Sequence, residues 1–196
     1  VTPKSEMRLV RRSILTMPQD QLERIRMIVD YLAESQLAVA KNGSKNLSKG
    51  DIALIIFKGL EMGFEPMAAL ESIDLISGKP TLDPVGMGAI VQASGLLEDI
   101  QFVTESDTVS EIMMKRVGQS PYTRIFTIED ARRMQTTEWV NNVKQTIPLT
   151  EKPNWKAMPS IMLKCRNLSQ MYRYLFGDVI NLYTPEELGA NVSVDG

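Results

Sequence analysis

The hydrophobic period of this chain changes twice, and those changes constrain its fold more than any other feature. From Pro18 to Lys41, apolar Leu22, Ile25, Ile28, Val29, Leu32 and Ala33 recur at the spacing of one helix face. Thr16 stands where a cap belongs, and Asn42-Gly43-Ser44 supplies a helix end. Ser48 opens a second helix with apolar Ile52, Ile55, Ile56, Leu60 and Met62, and Gly63 closes it. Pro66 suits the first turn of a short helix from Met67 to Glu71. Ile73–Ile76 and Lys79–Leu82, separated by Ser77-Gly78, predict a short hairpin. Asp83 and Pro84 then form the cap and first position of a helix running to Ala93.

In the middle of the chain the period shortens to that of strands. Ile100, Phe102 and Val103 form one run, and Val109, Ile112 and Met113 a second, ending at Gly118. In a third, Tyr122, Arg124, Phe126 and Ile128 alternate with Thr123, Ile125 and Thr127. Ser106-Asp107 and Gly118-Gln119-Ser120-Pro121 supply the turns, so the three runs predict an antiparallel meander. Thr127 caps a short helix through Met134, with Asp130 at the capping-box position. Residues 135–153 are polar, carry Pro148 and Pro153, and read as loop. The helical period returns from Trp155 to Phe176 and stops at Gly177, and Thr184-Pro185 begins a small final helix. The expected class is α+β: a small antiparallel sheet, hairpin plus three-stranded meander, flanked by helices, with a long C-terminal helix. Residues 1–16 are expected to form a flexible basic arm (Lys4, Arg8, Arg11 and Arg12 against Glu6), residues 17–189 one domain, and 190–196 a frayed tail.

Several function classes are excluded by what is missing. The chain has no histidine, so Ser-His-Asp and Cys-His triads and His-containing zinc motifs cannot be built. Cys165 is the one cysteine, which rules out an internal disulfide and makes a reducing, cytoplasmic setting the expectation. No apolar run approaches the ~18 residues of a membrane helix. Gly-Lys occurs once, at Gly78-Lys79, but Pro80 follows and Ile73 stands where a P-loop has its first glycine. No lysine has Asp or Glu two residues before it, so a common nuclease pattern is missing too. Glu98-Asp99 and Glu186-Glu187 fit solvated acids better than metal ligands. The expectation is a protein without catalytic residues, metal or cofactor.

Charge is asymmetric beneath a net value of −2. Lys115, Arg116, Arg124, Arg132 and Arg133 lie in one segment with Glu129 and Asp130. Lys152, Lys156, Lys164, Arg166 and Arg173 lie in another against Glu151 alone. Residues 178–196 instead carry only the acids Asp178, Glu186, Glu187 and Asp195. Local basic patches bind phosphate backbones, and they also occur as solvated charged faces. On the last helix, Ile161, Cys165, Leu168, Tyr172 and Leu175 form the expected core stripe. Arg166 and Arg173, seven apart with Ser169 between them, form a ridge suited to a phosphodiester chain. Tyr172 is expected in the core, whereas Trp155 fits either core or base stacking. The Met113-Met114 pair, Met158, Met162 and Met171 are expected mainly to fill core.

Four blocks, in order along the chain, carry a family resemblance. The first is Phe57-Lys58-Gly59-Leu60-Glu61-Met62-Gly63-Phe64-Glu65-Pro66-Met67-Ala68-Ala69-Leu70, continued by Ile73–Leu82 with Gly78-Lys79-Pro80 inside it and by the helix closing at Ser94-Gly95. The second is Phe126-Thr127-Ile128-Glu129-Asp130-Ala131-Arg132-Arg133. The third joins Trp155-Lys156, Pro159 and Met162-Leu163-Lys164-Cys165-Arg166. The fourth is Tyr183-Thr184-Pro185-Glu186-Glu187-Leu188. Together they span about Lys49 to Gly189 and resemble the RecT family of phage single-strand annealing proteins. Residues 135–153 are longer than the family's usual connection, Cys165 and Asn167 replace small residues common there, and the first helix does not align.

The resemblance implies ATP-independent annealing of complementary single strands, assembly into rings or helical filaments, and a basic groove around a sheet-and-helix core. It implies a phage 5′–3′ exonuclease and the host single-strand-binding protein as partners. By position in the blocks it implies DNA contacts from Lys58, Lys79, Arg132, Arg133, Trp155, Lys156, Lys164 and Arg166. Lys115, Arg116, Arg124 and Arg173 are candidates from charge alone. The rival expectations are a non-annealing DNA-binding scaffold or replication adaptor and, less favoured, a metal-dependent nuclease.

Overall fold

A computed structural model describes residues 14–35, 38, 46–76, 78–140 and 143–182. The helix end expected at Asn42-Gly43-Ser44, most of the basic arm, the helix expected at Thr184-Pro185 and the tail lie outside them. Helix α1 spans Gln19–Ser35 and α2 Lys49–Met62. α1 is shorter than expected: Ala38 is no longer helical, and its carbonyl accepts the Leu47 amide at 2.8 Å. Ser48 caps α2 by accepting from the Asp51 amide, while the Asp51 carboxylate accepts from the Ser48 amide. Gly63 ends α2 at φ 92°, where a side chain is disfavoured, and Pro66 starts α3, Pro66–Ser72.

The hairpin forms as expected from β1, Ile73–Ile76, and β2, Lys79–Leu82. Asp83 caps α4, Pro84–Ala93, accepting from the Gly86 amide at 2.7 Å. The meander consists of β3, Leu97–Glu105, β4, Val109–Arg116, and β5, Tyr122–Thr127, in the order β3-β4-β5, all antiparallel. Thr127 and Asp130 form the second capping box, on α5, Ile128–Arg133.

The structure corrects the sequence reading of residues 135–153. They form a third antiparallel unit, β6 (Gln135–Val140) with β7 (Val143–Pro148), followed by a 3₁₀ turn at Leu149–Glu151. The segment is rich in Thr and Val, whose branched side chains favour strands even without an apolar alternation. Thr136 is buried opposite Ile147. A second correction concerns the last helix. Met158, at φ −142° and ψ 62°, separates α6, Pro153–Ala157, from α7, Pro159–Leu175. Pro159 disfavours helical geometry in the residue before it, so the break falls where that chemistry puts it.

Three apolar clusters organise the described residues. Ile25, Val29 and Leu32 of α1 pack on Ile52, Ile56 and Leu60 of α2. The main cluster joins the other side of α2 to the hairpin, α4, β4, α7 and residues 175–182. The third gathers Phe126, Ala131, Leu149, Trp155 and Leu163. α7 covers one face of the meander, and Asn167 ties it there by donating to the Ser110 carbonyl at 2.9 Å and the Arg124 carbonyl at 3.2 Å. Among the described residues no helix is long and apolar enough to cross a membrane.

Candidate nucleic-acid interface

The third cluster sets the position of three exposed cations, Arg132, Arg133 and Lys156. β5 delivers Phe126 to the interior, the Thr127 cap turns the chain into α5, and Ala131 is buried on its inner side. The next two residues, Arg132 and Arg133, therefore emerge at the C-terminal end of α5, where the helix dipole favours positive charge. The 3₁₀ turn and α6 return alongside, with Leu149 and Trp155 packed inward and Glu151 and Lys156 facing out.

Glu151 links the two sides. Lys156 donates to its carboxylate at 2.7 Å and holds that group below the ordinary carboxylate range, and the charge of Arg132 adds to the effect. Arg132 is also paired with Glu129 at 2.6 Å, and Arg133 with Asp130. The Asp130 carboxyl is lowered first by its Thr127 hydrogen bonds and further by Arg133. Arg132, Arg133 and Lys156 all keep more than half of their side-chain surface exposed. Ion pairs this exposed contribute little to stability, so their cations exchange partners readily.

Trp155 resolves to the core: it is 5% exposed and gives no surface on which a base could stack. Its function is to seat α6, and thereby Lys156, against α5. Lys164 lies elsewhere, on the β3 side of α7, 2.9 Å from Glu105 and 4.4 Å above the Phe102 ring. Lys58 bonds Glu61 at 3.0 Å on α2. Lys79 is exposed where β2 begins. Lys115 pairs with Glu98 beside the sheet.

The arginine ridge differs from expectation. Ser169 is buried between Arg166 and Arg173, both arginines are half-buried, and Arg173 donates to the Ile180 carbonyl at 2.6 Å. Arg116 is likewise built into the fold. Its guanidinium takes both carboxylate oxygens of Asp178, at 2.6 and 2.7 Å, and the Leu175 carbonyl at 2.6 Å. Arg124 bonds Gln170 and lies 6.0 Å from the centre of the Phe126 ring. These contacts make Arg116, Arg124 and Arg173 links between sheet, α7 and the returning chain rather than an open phosphate track.

The expected core stripe of α7 is also partly corrected. Tyr172 and Leu175 are buried, but Ile161 is exposed, as is Met158 before the helix. The deepest positions are Leu163, Asn167 and Met171. A polar residue facing the sheet is invisible to an apolarity wheel. Burial pushes the Cys165 thiol up, so it is a poor nucleophile at neutral pH. Among the described residues no three Asp, Glu or Cys side chains gather as a metal-holding group.

No protein-family model matches this chain, and no curated protein is significantly similar to it.

Proposed function

We propose that this protein belongs with the RecT-like annealing proteins and binds single-stranded DNA, pairing complementary strands without ATP. The observation that carries the reading is the meeting of two separated sequence blocks. Lys156 of the Trp-Lys block pairs with Glu151, whose carboxylate also feels the charge of Arg132 of the Phe-Thr-Ile block, on a frame held by Trp155. A strand's phosphates replace the carboxylates as partners of Arg132, Arg133 and Lys156, and the exchange releases counterions. Lys58, Lys79, Lys164 and Arg166 extend the binding surface as the blocks imply. With the backbone held, bases remain free to pair, and a homo-oligomer, ring or filament, raises their effective concentration by presenting many at once. The protein works in the cytoplasm with a 5′–3′ exonuclease that exposes the strand and with the host single-strand-binding protein.

The decisive experiment mixes heat-denatured complementary oligonucleotides with the protein, in EDTA and without ATP, and follows duplex formation. Acceleration is expected. Binding without acceleration favours a non-annealing scaffold or adaptor, and cleavage appearing only with Mg²⁺ favours a nuclease.

A further inference from the structure

Phe102 sits on β3, whose only strand partner among the described residues is β4. It lies opposite Ile112, which is completely buried, yet Phe102 itself is 43% exposed on the outer strand. The register shifts between Phe102 and Thr104. Such a bulge bends a strand and spoils its edge for pairing with another strand, so a second copy's strand is a poor occupant here.

The ring's cationic neighbour is Lys164, with its ammonium 4.4 Å from the ring centre. The same ammonium bonds both oxygens of Glu105, at 2.9 and 3.1 Å. Two elements thus bring an exposed aromatic, a cation and a carboxylate to one point. In the free protein the ammonium occupies the ring face and the carboxylate occupies the ammonium. We infer that this trio receives one nucleotide of a single strand: the base stacks on Phe102, its phosphate takes Lys164, and Glu105 is displaced. Stacking of this kind tolerates any base, as a sequence-independent binder requires. Glu105 then acts as a built-in competitor that weakens binding.

This inference rests on the proposed single-strand binding and adds a stacking position to it. The test measures anisotropy of labelled oligo(dT) with the unchanged chain and with Phe102→Ala, Phe102→Tyr and Glu105→Gln, each checked by thermal melting. Phe102→Ala should bind about tenfold more weakly, Phe102→Tyr should retain affinity, and Glu105→Gln should bind several-fold more tightly. Unchanged affinity in Phe102→Ala, or equal losses in the Ala and Tyr variants, overturns the stacking role. A Glu105→Gln affinity no higher than that of the unchanged chain overturns the competition. If the unchanged chain binds no single strand, the proposed function fails and this site with it; if only the variants behave otherwise, the function stands and the site falls.

Discussion

Arg116, near the end of β4, grips both carboxylate oxygens of Asp178, which lies just beyond α7. The same guanidinium bonds the Leu175 carbonyl and lies 5.4 Å from the centre of the Phe176 ring. One side chain thus holds the chain's turn after α7 against the sheet. Truncation to Arg116→Ala leaves a carbonyl and a carboxylate without their partner, and should cost about 2–3 kcal/mol in urea unfolding. Asp178 is 59% exposed, so Asp178→Asn should cost less, about 1 kcal/mol.

The Arg116 hydrogen bond holds the Asp178 carboxyl below its ordinary value. Its contribution to stability is therefore fully present above the unfolded carboxyl range and is lost as pH falls through the lower folded value. The stability difference between the unchanged chain and Asp178→Asn should be constant at neutral pH and shrink below about pH 4. A difference that persists undiminished at the acid end contradicts the linkage.

Asn167 is wholly buried and spends its amide on the Ser110 and Arg124 carbonyls. Asn167→Ala should destabilise by about 2–3 kcal/mol, and Asn167→Leu should not fully restore stability, because an apolar isostere donates to neither carbonyl. Chemical denaturation of the two variants provides the check.

Gly59 of α2 lies directly against α3, and a Cβ there overlaps the Ala69 Cβ. Neither helix backbone can yield cheaply, so Gly59→Ala should lower stability by about 2 kcal/mol or more despite the better helix propensity of alanine. A raised melting temperature would refute the close contact.

The exposed cluster and the buried arginines should separate cleanly in DNA binding. Removing Arg132 and Lys156 together should leave the melting temperature nearly unchanged and reduce the salt slope by roughly 0.7 per lost phosphate contact. Arg173→Ala should instead destabilise the fold and leave the slope nearly intact, since its guanidinium serves the Ile180 carbonyl. Equal slope losses in the two variants would restore the ridge as a phosphate track.

The elements that could be read directly were those governed by neighbours in the chain. Ser48 with Asp51, Asp83 with Pro84, and Thr127 with Asp130 set helix starts through contacts spanning only a few residues. Alternation placed the meander for the same reason, because successive side chains on a strand face opposite ways. β6 and β7 carry their signal in branched polar residues rather than in an apolar face, so apolar alternation does not reveal them. The candidate site is half legible: Arg132, Arg133 and Lys156 can be read as charges in motif blocks, but the packing of their two elements depends on the burial of Leu149 and Trp155 with Ala131.

Local chemistry therefore settles where helices and strands begin and end, and the absence of histidine settles which catalytic devices this chain cannot hold. Long-range packing settles which charges are available. Arg116 and Arg132 are equally basic in the sequence, yet one closes the fold through a segment more than sixty positions away and the other pairs with Glu129 on its own helix turn. The physical reason is desolvation: a guanidinium drawn toward the interior must have its hydrogen bonds met by the protein, whereas one left in water can trade them.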